Sequence, residues 1–280
     1  TATTAYTGAT NINRATLTYG ASNILTSGAV TVGNGTLNIA GNSDTVGAVT
    51  LQKGLITGTS GILTGTSYSF REGTVSAIIA GAVAVTRVAT STAVDSVVTM
   101  TRDNTYTGAT TITSGILKLG AAGGVTNTPL GTTGGGTTIA SGGALDLNGF
   151  TLGTAEAITS LASSGFGASG ASNMGAIMNS SGSAASYSGA LTLTAASRIN
   201  ADYGALTISG NASGNFALTF GGFSNITYSG VRSGTSTIVK DGIGVLTLSN
   251  GSSSYSGATT ISVGTVKIGA ASVGGTNSPL

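Results

Sequence analysis

The feature that most restricts the fold of this 280-residue chain is a two-residue alternation of aliphatic and hydroxyl-bearing side chains. Each alternating stretch sends its aliphatic side chains to one face and ends at Gly, Asn or Ser, which is typical of a half-buried β-strand bounded by tight turns. Helical periodicity is nearly absent. The clearest stretches are residues 29–32, 36–40, 48–51, 190–194, 205–209 and 245–249. The pattern predicts an all-β chain.

The composition excludes several classes of function. The chain has no Cys and no His, which excludes thiolate and imidazole metal sites and catalysis by Cys or His. Its ten Lys and Arg residues are scattered and the net charge is +2, which argues against a nucleic-acid surface. The longest apolar run, residues 75–85, is about half of the ~20 residues that a membrane-spanning helix needs.

The abundance of glycine, 47 residues, also raises the question of disorder. Disordered chains combine low hydrophobicity with high charge, whereas here 40% of the residues are hydrophobic and 6% are charged. We therefore expect the chain to collapse and pair its strands.

A motif recurs along the chain. Residues 104–122 and 253–271 are identical at 11 of 19 aligned positions, and residues 5–20 form a looser copy. The three copies share Tyr6, Tyr106 and Tyr255 at unequal spacings, so the motif recurs within a longer array. We expect one continuous repeat segment over residues 1–280, with approximate modules 1–103, 104–252 and 253–280. The last module stops early, so we expect a slice of a longer polypeptide, cut mid-module at both ends.

Many short strands, glycine-rich turns and few charges favour a β-solenoid, in which coils of roughly 20–25 residues stack about 4.8 Å apart. About a dozen such coils form a rod on the order of 60 Å long. We expect aliphatic side chains inside and Thr, Ser and Asn ladders outside. The alternative is a string of β-sandwich domains. Their thicker cores need more aromatic residues than the 6 Phe and 8 Tyr of this chain.

Residues 240–269 resemble the autotransporter-associated β-strand repeat, which belongs to the passenger regions of bacterial type V secretion proteins. The matching positions are Lys240, Gly242, Gly244, Leu246, Thr247, Leu248, Ser249, Tyr255, Gly257, Thr259, Ile261, Gly264, Thr265 and Gly269. Residues 68–77, 187–193 and 202–210 resemble other strands of these proteins. The resemblance implies a right-handed parallel β-helix at the bacterial cell surface, exported by a separate C-terminal barrel. The sequence does not identify the export partner.

The carboxylates are the candidates for enzymatic chemistry, because β-helices also include glycan-cleaving enzymes that use two nearby carboxyl groups. The eight acids are Asp44, Glu72, Asp95, Asp103, Asp146, Glu156, Asp202 and Asp241. They are at least eight positions apart, and three of them directly adjoin a cation. We interpret them as solvated surface or turn residues, and their convergence in one groove would favour an enzyme instead.

Other motifs are interpreted as structural. Residues 241–244 and 131–136 resemble phosphate-binding loops, but no helical pattern follows either, so we expect turns. Residues 142–146 are an isolated match to calcium-binding repeats. The three repeat tyrosines are expected to pack or to hold turns. We predict no catalytic, cofactor-binding or metal-binding residue.

Residues 160–188 depart from the alternation and are rich in small residues, so a loop extruded from the solenoid is possible there. Our prediction is a non-enzymatic extracellular rod, adhesin shaft or surface filament that associates with itself end to end or laterally. The alternatives are a carbohydrate-active β-helix enzyme and a glycan-binding adhesin that uses the 160–188 loop.

Overall fold

A computed structural model describes residues 6–89, 96–166 and 174–269 of the protein. These residues form thirty short strands and no helix. The strands are β1 (Thr10–Ile12), β2 (Thr16–Thr18), β3 (Val30–Val32), β4 (Gly35–Asn38), β5 (Asp44–Thr45), β6 (Ala48–Leu51), β7 (Gly54–Thr64), β8 (Ser67–Phe70), β9 (Gly73–Ala80), β10 (Val85–Arg87), β11 (Val97–Met100), β12 (Thr110–Ile112), β13 (Gly115–Leu119), β14 (Asn127–Thr128), β15 (Gly131–Thr132), β16 (Thr137–Ile139), β17 (Gly143–Asp146), β18 (Ile158–Leu161), β19 (Ile177–Asn179), β20 (Ala185–Tyr187), β21 (Leu191–Leu193), β22 (Ser197–Ala201), β23 (Leu206–Ile208), β24 (Ala212–Ser213), β25 (Leu218–Gly221), β26 (Ile226–Tyr228), β27 (Ile238–Lys240), β28 (Val245–Leu248), β29 (Thr259–Ile261) and β30 (Thr265–Ile268).

The strands stack as a β-solenoid of about 12 turns, as predicted, and not as a string of sandwiches. The longest sheet, here called the long sheet, runs β2-β4-β7-β9-β11-β13-β17-β19-β22-β25-β27-β29, with β5 beside β7. A second sheet runs from β1 to β24 and a third joins β20, β23, β26, β28 and β30. Pairing within these sheets is parallel, and the hairpin β14–β15 is an antiparallel pair.

Most coils are about twenty residues long. Leu17 pairs with Leu37 and Leu37 with Ile56, so the first coils contain 20 and 19 residues. The coils from Leu117 to Leu145 and from Leu145 to Ile177 are longer, at 28 and 32 residues. The extra residues of the first of these coils include the β14–β15 hairpin.

The alternation sorts the side chains as expected, because successive residues of a strand point to opposite faces. Aliphatic residues from Ile12 to Leu248 form one continuous buried cluster through the solenoid. On the outer face of the second sheet a hydroxyl ladder connects Thr31, Thr50, Ser69, Thr86, Thr111 and Thr138. The predicted division between an aliphatic interior and hydroxyl ladders is confirmed.

Glycine is required where coils turn in register. Gly35, Gly54 and Gly73 stack on one another, and the last two have φ of 111° and 119°. A Cβ on Gly54 would lie 2.2 Å from the carbonyl oxygen of Gly35. These corners therefore need both the positive φ and the missing side chain of glycine.

The predicted modules 1–103, 104–252 and 253–280 stay a prediction. Parallel pairing continues across both proposed boundaries, from β11 to β13 and from β28 to β30.

Candidate functional site

The repeat tyrosines have two different environments. Tyr106 and Tyr255 are fully buried, and their hydroxyl groups lie 2.6 and 2.8 Å from the Oγ1 atoms of Thr110 and Thr259, four residues further on. Tyr6 is 54% exposed, and its hydroxyl donates to the carbonyl oxygen of Ala9. The predicted packing role is confirmed for Tyr106 and Tyr255.

The residues two positions before Tyr106 and Tyr255 tie adjacent coils together. Asn104 is fully buried; its Oδ1 accepts from the backbone N–H of Ile79 at 3.0 Å, and its Nδ2 donates to the carbonyl oxygen of Pro129 at 2.9 Å. It thus bridges the coil before and the coil after. Ser253, its counterpart, accepts from the backbone N–H of Arg232 at 3.1 Å.

Four cations are buried, Arg87, Arg198, Arg232 and Lys240, and two of them lie at positions that the strand alternation directs inward. Arg87 and Lys240 occupy inward positions, since each is paired in register with a core Phe, at positions 70 and 220. The Arg87 guanidinium donates to the carbonyl oxygen of Ile116 at 3.1 Å and to Ser96 Oγ at 2.8 Å, and burial lowers its pKa to about 10. Arg232 donates to the carbonyl oxygens of Ala212, Gly214 and Phe216.

Lys240 is the first residue of the 240–269 motif, and it closes a turn. It is buried, and its Nζ donates to the carbonyl oxygens of Gly242 and Val263. Burial lowers its pKa, and Asp241 opposes that shift. The ammonium group therefore holds the turn of its own coil against that of the next coil.

A polar cluster lies on the outer face of the long sheet, along β13, β17, β22 and the end of β27. Asp146 lies 3.6 Å from Lys118 Nζ and accepts from Ser180 Oγ at 2.5 Å. Further along, Arg198 Nη1 donates to Asp241 Oδ2 at 2.6 Å.

Asn200 and Asp202 complete this polar cluster. The Oδ1 of Asn200 accepts from Arg198, and its Nδ2 donates to Asp202 at 2.5 Å. Burial is the main cause of a raised pKa at Asp202, and the negative charge of Asp146 adds to it. Asn200 and Arg198 act in the opposite direction. Three of the eight acids thus converge on one face.

Comparison with known proteins identifies the repeat. The family model for the passenger-associated-transport-repeat matches residues 96–119 and 238–268. Two stretches of the chain match passenger-associated-transport repeats. No curated protein matches the chain significantly, and no solved structure does. The repeat and the solenoid fit an autotransporter passenger with β-helix repeats, so the resemblance noted in the sequence is confirmed. They support an extracellular, repeat-containing passenger.

The sequence interpretation places the acids at solvated surface or turn positions, and the solvated placement is wrong for Asp44, Asp146 and Glu156, which are buried. Asp44 accepts from the backbone N–H groups of Ile24 and Leu25 and so holds a turn. Glu72 pairs with Lys53 at 2.8 Å. Asp95 lies outside the described residues. The sequence did not predict that these acids are buried. The only sequence signal for an inward-facing acid is its place in the two-residue alternation, and an acid at a turn has no such signal.

Glu156 lies inside the solenoid next to the hairpin strand β14. Its carboxylate accepts from Thr137 Oγ1 at 2.6 Å and from Thr128 Oγ1 at 3.1 Å. Burial raises its pKa to about 7, although both hydrogen bonds act in the opposite direction. The hydroxyl group of Tyr187 donates to its backbone carbonyl oxygen.

The predicted extruded loop 160–188 is shorter than expected, because β19 and β20 belong to the coils. Residues 167–173 lie outside the described part of the chain. On either side, Phe166 and Met174 pack on the outer wall of the long sheet with Ile116, Ala144 and Met178. Phe166 and Met174 therefore cover part of this wall from outside.

Gly131 and Thr132 form β15, residues 133–136 and 241–244 lie at turns, and strands rather than helices follow both. In the described residues no group of three or more acidic side chains is arranged to hold a metal ion. Those residues also contain no helix long and apolar enough to cross a membrane.

Proposed function

We propose that this passenger segment is a non-enzymatic structural rod: the shaft of a surface autotransporter, adhesin or filament that associates with itself. The observation that supports the proposal is the continuous buried cluster from Ile12 to Tyr255. Each coil covers the apolar face of the next and shares parallel hydrogen bonds with it, so bending the rod exposes core and breaks backbone pairing.

The charge distribution supports the same proposal. Charged residues are 6% of the chain, and four of the ten cations, Arg87, Arg198, Arg232 and Lys240, are buried. A rod of net charge +2 experiences little repulsion from a second copy. Buried Arg and Lys residues are also inaccessible to trypsin-like proteases in the extracellular medium.

Small-angle scattering and electron microscopy of the purified chain test the proposal. We expect a rod about 60 Å long, from about 12 coils at roughly 4.8 Å each, and fibres or sheets at high protein concentration. A compact, isotropic particle would contradict the rod. Dispersed monomers at high concentration would contradict self-association.

A carbohydrate-active enzyme is the second proposal, and the converging acids favour it. Asp202, whose pKa is raised by burial, lies on the same face as Asp146, whose charge adds to that shift, and glycan-cleaving enzymes use such a pair as acid and carboxylate. Release of reducing sugar from surface glycans, lost in Asp202→Asn and kept in Asp103→Asn, would establish it. Absence of release from a broad glycan panel would reject it.

A further inference from the structure

Four exposed apolar residues occupy equivalent turns of consecutive coils. We call Tyr203, Phe223, Ile243 and Val263 the turn ladder. Each lies three residues before one member of the in-register series Leu206, Ile226, Leu246 and Val266. The four side chains therefore follow one another along the rod at intervals of about 4.8 Å.

The turn ladder is exposed although the turns do not need apolar residues. Tyr203, Phe223, Ile243 and Val263 are 74%, 71%, 65% and 45% exposed. The turns are closed by their glycines: a Cβ on Gly222 would lie 2.1 Å from the carbonyl oxygen of Ala201. The preceding coil has Ser181 at the corresponding place, two residues after Asn179, which pairs with Ala201. The apolar character thus calls for another explanation.

We propose that the turn ladder is the seam through which two copies of this chain pair side by side in antiparallel orientation. The inference rests on the proposed function, because it requires the chain to be a rod. A straight row of apolar groups at the coil spacing fits a partner with the same spacing, and a second copy has it.

The order of side-chain sizes sets the orientation. The turn ladder decreases in size from Tyr203 through Phe223 and Ile243 to Val263. In an antiparallel pair the largest residue faces the smallest, Tyr203 against Val263, and Phe223 faces Ile243. The two rods then stay at a constant distance, whereas a parallel pair would leave a gap at its Val263 end. The resulting two-fold contact is self-complementary.

The exposed area is compatible with a weak lateral contact. With about 200 Å² for a fully exposed aromatic side chain, the turn ladder presents on the order of 400 Å² per copy. Two copies remove roughly 800 Å² from water, which is below the range of stable complexes and typical of transient ones. Such contacts become strong when many are repeated along assembled rods.

Sedimentation velocity over a concentration series tests the seam. We expect the 280-residue chain to dimerise reversibly, and Tyr203→Ser with Phe223→Ser to raise the dissociation constant at least tenfold. The matched control is Val125→Ser, which removes an 84% exposed apolar side chain outside the turn ladder and leaves the constant unchanged. An unchanged dissociation constant in the double variant, with an unchanged circular dichroism spectrum, would overturn the inference.

Cross-linking tests the orientation, since the chain has no native Cys. Tyr203→Cys and Val263→Cys are prepared separately and treated with a short bis-maleimide, alone and mixed. The antiparallel seam predicts efficient cross-linking in the mixture and little in either variant alone. Efficient cross-linking of Tyr203→Cys to itself would overturn the antiparallel seam.

The failure of the seam and the failure of the rod give different results. If rods assemble but the turn-ladder variants assemble equally well, the seam is wrong and the rod stands. If scattering shows no rod, the proposed function fails before the seam is considered.

Discussion

Buried polar side chains in this solenoid form hydrogen bonds chiefly with backbone groups and with hydroxyl groups. Glu156 illustrates the cost, since two threonine hydroxyl groups do not fully replace water around its carboxylate and its pKa rises to about 7. Tyr106 and Tyr187 lie close to it, and burial raises their pKa well above the ordinary value, so both stay neutral at physiological pH.

The raised pKa of Glu156 predicts that the protein is most stable in mild acid. Between the ordinary value of 4.5 and about 7, the folded state holds a proton that the unfolded state has lost. The free energy of unfolding should therefore fall as pH rises through this window, by on the order of 3 kcal/mol, and level off above it. The pKa of Asp202 is also raised, so its ionisation lowers the free energy of unfolding further as the pH rises.

Urea unfolding of wild type and Glu156→Gln at pH 5, 6, 7 and 8 measures this effect. The variant should lose most of the slope, because glutamine does not titrate. Glu72→Gln serves as the control, since Glu72 is partly exposed and paired with Lys53, and it should retain the slope. An equal slope in wild type and Glu156→Gln would show that Glu156 is not the titrating group.

The two repeat copies supply a matched pair of substitutions. Asn104→Ala leaves the backbone N–H of Ile79 and the carbonyl oxygen of Pro129 without their partner, so we expect a loss of about 2–4 kcal/mol. Ser253→Ala removes one hydrogen bond, to the N–H of Arg232, and should cost about 1–2 kcal/mol. Chemical denaturation of both variants checks the order, and an equal loss would argue against the bridging role of Asn104.

At the scale of the strand, the ion pair on the outer wall of the long sheet needs a glycine in β25. Gly221 pairs with Asn200, and its missing side chain leaves room for the Arg198 guanidinium beside Asp241. A Cβ there would lie 1.8 Å from Arg198 Nη2.

Gly221→Ala should therefore displace the Arg198 guanidinium and break its ion pair with Asp241. We expect a loss of about 2 kcal/mol, because a mostly buried charge loses its partner. Gly134→Ala is the control, since no atom lies within 4 Å of the Cβ position there. Thermal unfolding of both variants measures the difference, and equal midpoints would refute the packing argument.

Much of the strand pattern was predictable, and the exceptions have physical reasons. The alternating stretches at 48–51 and 245–249 correspond to β6 and β28, because parity alone decides which side chains enter the core. The alternation also directs Arg87 and Lys240 inward, where backbone carbonyl groups of Ile116 and Gly242 accept hydrogen bonds from them. Alternation alone does not reveal these acceptors. The convergence of Asp146, Asp202 and Asp241 depends on successive coil lengths of 32, 22, 21 and 20 residues, which alternation does not encode.

At the scale of the whole molecule, stability is shared among neighbouring coils, so the rod opens locally from weak positions. Accessible basic residues report where it opens. Arg14, Lys53 and Lys267 are exposed, whereas Arg87, Arg232 and Lys240 are buried.

Limited trypsin digestion followed by mass spectrometry should show early cleavage after Arg14, Lys53 and Lys267. Cleavage after Arg87, Arg232 and Lys240 should be slower by at least tenfold, because it requires the coil to open first. Digestion after unfolding in urea is the control and should cut all six sites at similar rates. Early fragments that begin at Val88 or Ser233 would contradict the buried placement.

The equal register of the coils between Leu206 and Val266 has a consequence for how such a gene changes in length. Because Leu206, Ile226, Leu246 and Val266 follow one another at twenty-residue intervals, each coil presents the same backbone pattern to both neighbours. An in-frame duplication or deletion of sixty nucleotides in this region adds or removes one coil and restores the pairing on either side. Unequal recombination can thus lengthen or shorten the shaft in steps of about 4.8 Å while the strand pairing between neighbouring coils stays the same.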